Sequence, residues 1–196
     1  YGDAVTLSAT GNLDGDTITA ADMVAAGAND INLTANEVDL TGGAGSVTTT
    51  GDINLTAGAA ASSYVLGGAA DSGAGAVDLT DGDIAALADG ADTITVGPSG
   101  SALPVVVEGA SFADDLVINS DGVGGAVTVN GQLDTVATPD AESITINGTG
   151  MTTTLNADVV TAGAPIVMND AVVLGADIAL DTTDGGAVVT GADVTI

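Results

Sequence analysis

The chain of 196 residues is long enough to bury one sizeable core, and it contains no Lys, Arg, His, Cys or Trp. Its 27 acidic residues give a formal charge of −27 with no internal cation to offset it. That excludes nucleic-acid binding and attraction to anionic membranes, and it leaves cations and water as what the surface draws. The missing cysteines exclude disulfides, thiol catalysis and thiolate metal sites, and no apolar run approaches the length of a membrane span. With 45% apolar residues and a mean hydropathy of +0.46, the chain is not a disordered acidic tail. Residue 1 is Tyr, and no charged or apolar leader follows it, as expected of a mature product or an excised piece.

Taken in chain order, the residues alternate in short runs. Val5 and Leu7 are apolar with polar neighbours, the mark of a strand with one buried face. Asn12, Asp14 and Asp16 follow in "NLDGD". The alanine-rich "TAADMVAAGA" (19–28) predicts a short helix. "DINLTA" then occurs at 30–35 and again at 52–57, so that Ile31 and Leu33 return, at a step of 22, as Ile53 and Leu55. Between the copies lie Val38 and Leu40, and beyond them Val77 and Leu79. "TDGDIAALADGA" (80–91) predicts a second helix, capped by Asp81 and ended by Gly90. Further alternating pairs are Ile94 and Val96, Leu116 and Ile118, Val127 and Val129, Ile144 and Ile146, and Val194 and Ile196. Asn130–Gly131 and Asn147–Gly148 are turn dipeptides. "ITIN" at 144, "IVMN" at 166 and "VVTG" at 188 step by 22, as do "VVL" at 172 and "VTI" at 194.

A constant step of 22 with two or three short strands per step predicts a parallel β-helix. Propeller blades are longer, and the Leu and Asn framework of a leucine-rich repeat is missing. Repeated residues should then stack: Asp30 under Asp52, Ile31 under Ile53, Asn32 under Asn54. The reading is one all-β domain over 1–196 of roughly nine rungs. Residues 1–120 are less regular, with one or two helical insertions, and 121–196 form regular rungs. An antiparallel sandwich is the competing architecture.

"LTDGDIAALADGADTITVG" (79–97), "VVVEGASFADDLVINSDGVGGAVTVNGQL" (105–133) and "NDAVVLGADIALDTTDGGAVVTGADVTI" (169–196) resemble spacer modules of giant filamentous-haemagglutinin-like surface proteins of bacteria. The likeness runs through 79–196 and is one of style over 1–78. It implies a secreted, right-handed β-helical rod that serves adhesion or surface structure.

Catalysis is not expected, because no His, Cys or Lys is present as base or nucleophile. Asp114–Asp115 is the most suggestive carboxylate pair for glycoside chemistry, yet neighbours on a strand point to opposite faces. The only aromatic side chains are Tyr1, Tyr64 and Phe112. Calcium is the better chemistry for oxygen-rich turns. The candidates are Asp14 with Asp16, Asp81 with Asp83, Asp114 with Asp115, and Asp181 with Asp184, against ordinary turn-forming Asp. The calcium nonapeptide is missing, since "GGAGSV" places Val47 where its Asp belongs. Sequons at Asn32, Asn54 and Asn147 are candidate glycosylation sites.

The expectation for function is an extracellular, cell-surface structural protein. It would be a stalk segment or filament subunit that joins other copies head to tail through Val5, Leu7, Val194 and Ile196. The alternatives are an adhesin module with a cell-surface or glycan ligand, and a pilin joined by donor-strand exchange.

Overall fold

The computed structural model describes residues 5–71, 73, 75–135, 141–148, 150 and 152–196. It is a parallel β-solenoid of about eight turns. One face runs through the whole stack as an eight-stranded sheet. Its strands, in order, are Gly11–Asp14, Ile31–Ala35, Ile53–Ala57, Ile94–Val96, Leu116–Asn119, Ile144–Asn147, Ile166–Met168 and Val194–Thr195. All named strand pairs are parallel, which removes the antiparallel sandwich.

The stacking read from the repeat is present. Ile31 pairs with Ile53, Asn32 with Asn54 and Leu33 with Leu55, and Asp52 N donates to Asp30 Oδ1 at 3.2 Å. The column then continues through Ile94, Leu116, Ile144 and Ile166, all fully buried. A second inward column on the same strands holds Leu33, Leu55, Val96, Ile118, Ile146 and Met168. Burying each such side chain stabilises the fold by roughly 1.5–3 kcal/mol, so the columns are the main source of cohesion.

The step between rungs is not constant. It is 22 from Ile31 to Ile53, from Ile94 to Leu116 and from Ile144 to Ile166, but 18 from Val5 to Met23, 20 from Gly11 to Ile31 and 28 from Leu116 to Ile144. From Ile53 to Ile94 it is nearly double the usual step. There the chain forms Tyr64–Gly67, turns back so that Val77–Leu79 pairs with it, and enters the helix Asp81–Ala86. Leu87 rejoins the stack by bridging Val47. This excursion spends two steps of chain on one rung.

Four expectations are corrected. First, residues 19–28 are not helical. Thr17–Ala20 pairs with Glu37–Leu40, and Met23–Ala25 lies between Val5–Leu7 and Val47–Thr48. Ladder partners on both sides of Met23–Ala25, and burial of Met23 and Ala25, outweigh the alanine preference for helix. Second, Thr80, not Asp81, caps the helix at 80–91. Thr80 and Asp83 satisfy one another's backbone N–H groups as a capping box. The helix ends at Ala86 because Leu87 turns extended to meet Val47, so Gly90 does not end it. Third, Ile166 pairs with Val194 and not with Val188, which lies in the turn after Thr183. Val172 sits on Thr153, on a different sheet from Val194. Fourth, Asn130–Gly131 does not end a strand. It lies within Val127–Thr135, at the register shift where this strand and Val105–Phe112 bend together around a corner. A Cβ on Gly131 would fall 2.5 Å from the Glu108 carbonyl oxygen, so the corner requires glycine.

Candidate functional site: a carboxylate cluster at the second rung

The strand Glu37–Leu40 carries an acid at two alternate positions, Glu37 and Asp39. The returning excursion brings Asp71 and Asp78 beside them. One oxygen each of Glu37, Asp39 and Asp71 lies within 4.8 Å of the others. Among the described residues this is the one convergent trio of carboxylates. Glu37 is only 5% exposed, and its Oε2 is buried with no hydrogen-bond partner. Asp39 is half-buried and accepts from Thr19 Oγ1 at 3.2 Å, while Asp71 is exposed.

The electrostatics follow from this crowding. Burial, the hydrogen bond with Asp78 and the charges of Asp78, Asp71 and Asp39 together push the Glu37 carboxyl up to about 8. Burial also raises Asp39, assisted by Asp71, Asp83 and Asp78 and opposed by the Thr19 hydroxyl. The chain has no Lys, Arg or His to relieve either group. Chemically, the trio offers hard oxygen ligands with an open mouth at Asp71.

The carboxylates singled out in the sequence are placed differently. Asp83 Oδ1 accepts from Leu40 N at 2.6 Å, its Oδ2 closes the capping box, and Asp81 Oδ1 accepts from Gly68 N at 2.8 Å. Asp114 and Asp115 do diverge. Asp114 is buried and accepts from Gly90 N at 2.8 Å; Asp115 accepts from Ser143 N at 2.6 Å. Burial raises Asp114 to about 6, against the lowering effect of the Gly90 bond. Asp181 closes a turn by accepting from Thr183 N and Gly185 N, at 2.7 and 2.8 Å, beside Asp184 at φ 50°. Asp14 is exposed, and Asp16 accepts from Asn36 Nδ2. Asp16, Asp81, Asp83, Asp114, Asp115 and Asp181 are thus tied into backbone or neighbouring side chains rather than into one another.

The sequon asparagines form ladders. Asn54 Nδ2 donates to Asn32 Oδ1 at 2.9 Å and Asn32 Nδ2 to Asn12 Oδ1 at 2.8 Å. A second ladder runs from Asn169 through Asn147 to Asn119, both bonds 2.8 Å. The nitrogen that a glycan would take is thus the ladder donor. Thr149, third residue of the last sequon, lies outside the described residues, as does Tyr1.

At the ends of the stack, Val5 and Leu7 are half-buried against the core, whereas Val194 and Ile196 are 42% and 68% exposed. Val173 and Leu174, on the neighbouring face, are exposed as well.

No family model, curated protein or solved structure matches the chain.

Proposed function

We propose that the chain is a structural segment of an extracellular, cell-surface β-solenoid rod that joins further copies end to end. The observation that carries this reading is the continuous eight-stranded parallel face, a stack that lengthens by adding rungs. Among the described residues, Ala171–Leu174, Leu180–Asp181 and Val194–Thr195 each pair on one side only, and apolar Val173, Leu174, Val194 and Ile196 lie open beside those free edges. An unpaired parallel edge with apolar side chains is a template for another strand. Supplied by the first rung of a second copy, around Val5 and Leu7, that strand makes a heterologous contact, which propagates into a filament. The filament's job would be length and stiffness, and with no Lys or Arg it offers trypsin no cleavage site. The likeness to filamentous-haemagglutinin-like spacer modules agrees with this role.

The adhesin reading has less support. Adhesive surfaces use aromatic or Arg anchors. Here Tyr64 and Phe112 are about 1% exposed, and no Arg is present. Donor-strand exchange calls for an incomplete antiparallel sandwich, which the parallel rungs do not form.

Removing residues 192–196 tests the proposal by electron microscopy and sedimentation. The expected result is a folded rod, by circular dichroism, that no longer assembles. Filaments of unchanged width and repeat from the truncated chain would overturn end-to-end joining.

A further inference from the structure

We propose that Glu37, Asp39 and Asp71 form a binding site for one calcium ion, which clasps the excursion over residues 58–80 to the second rung. Two oxygens on one calcium at 2.3–2.6 Å lie no more than about 5 Å apart. The three carboxylates already offer oxygens within 4.8 Å of one another, close enough for small side-chain adjustments to bring all of them onto one ion. Magnesium demands a near-ideal octahedron, whereas calcium accepts irregular sets of six to eight oxygens, so an irregular trio on a strand and a loop suits calcium.

A second observation points the same way. Glu37 Oε2 is wholly buried and has no hydrogen-bond partner. It faces Gly73, on which a built Cβ would stand 4.0 Å away. A buried carboxylate oxygen without a partner is costly, and this chain has no cationic side chain to satisfy it. Besides the proton shared in the hydrogen bond with Asp78, a cation from solution is the partner of the right sign. The site is also graded as an entry path requires. Glu37 lies at the base, Asp39 is half-buried and Asp71 is at the open mouth, where water completes the six to eight ligands.

The consequence is mechanical. Glu37 and Asp39 belong to a strand of the stack, whereas Asp71 belongs to the loop before Val77–Leu79. An ion held by both fixes the excursion at the place where the chain makes its longest detour between stacked rungs, from Ile53 to Ile94.

The experiment is calorimetric titration of calcium into the chelator-treated full chain. Sodium at matched ionic strength is the control, and hydrogen exchange of residues 75–79 is read in parallel. The variants are D71N, whose side chain is exposed and leaves the fold intact, D39N and E37Q, with D14N as a control. The expected result is one calcium per chain, affinity reduced roughly tenfold or more in D71N and D39N, no saturable binding in E37Q, and wild-type binding in D14N. Calcium should also slow exchange over 75–79 in the wild type only. The absence of saturable binding, or wild-type affinity in D71N and D39N, would overturn the site. So would equal responses to calcium and to matched sodium.

Discussion

Ile166 and Val194 are neighbours in the same column of the same sheet, yet Ile166 is 0% exposed and Val194 42%. Their local sequences alternate alike, "IVM" and "VTI". What differs is the far side. Ile166 has Ile144 on one side and Val194 on the other, whereas none of the described residues pairs beyond Val194. Alternation therefore decides which way a side chain points, while burial depends on a rung being present on both sides. The middle of the stack and its last rung should respond to the same change with very different penalties.

The largest contrast is a charge in the inward column. Ile53→Asp buries an unpaired carboxylate between Ile31 and Ile94 and should abolish cooperative thermal unfolding by circular dichroism. Val194→Asp meets water and should cost about 0.5 kcal/mol or less. Near-equal melting of the two variants would break the comparison.

Glycines sharpen it next. Gly67 has φ 80°, and a Cβ there would fall 1.7 Å from the Gly109 carbonyl oxygen. Gly67→Ala should therefore cost about 3 kcal/mol or more, combining a left-handed backbone with overpacking. In the last rung Gly185 has φ 63° but open space around it, so Gly185→Ala should cost only about 1 kcal/mol. Urea denaturation of both variants reads the difference.

The pH response should divide the same regions with opposite sign. Burial raises Glu37 to about 8 and Asp114 to about 6. Their stabilising effect is fully present below the unfolded carboxyl range near 4, fades as pH rises through 6 and 8, and is flat above. In the last rung, hydrogen bonds from the Thr183 hydroxyl and N–H and from Gly185 N hold Asp181 below the ordinary range. Its effect is present above about 4 and fades in stronger acid. In calcium-free buffer, melting temperature should fall from pH 5 to 8.5. E37Q with D114N should flatten that slope, and D181N should flatten only the acid limb.

The smallest effect lies in the ladders. Asn54→Ala removes the bond to Asn32 and should cost about 1 kcal/mol. Asn169→Ala, at an exposed ladder end, should cost about half that, measured by the same denaturation.

The repeated hexapeptide showed which residues stack, because parallel in-register pairing places like on like. Ile31 on Ile53 and Asn32 on Asn54 needed no structure to see. Rung length was hidden, because corners and loops absorb extra residues without disturbing the ladder. Ile53 can meet Ile94 across the long excursion as readily as Ile144 meets Ile166 across an ordinary rung. The same freedom made "VVTG" at 188 look like a rung when it is a turn. The candidate site was less legible still. The local signal at 37–40 was two acids at alternate positions of an otherwise ordinary strand. Asp71 and Asp78 reach it only because the excursion turns back.

The sequence by itself determined the strongly alternating strands, their inward faces, the parallel stack and the −27 charge without a counter-ion, since these depend on residue type and short-range period. Only the tertiary structure decided which segments stack outside the repeated hexapeptide and the regular 22-residue steps, that residues 19–28 join the sheets, that the asparagines form ladders and that Glu37 is buried among other acids. Those outcomes depend on contacts between residues far apart in the chain, where ladder pairing and burial outweigh local preference.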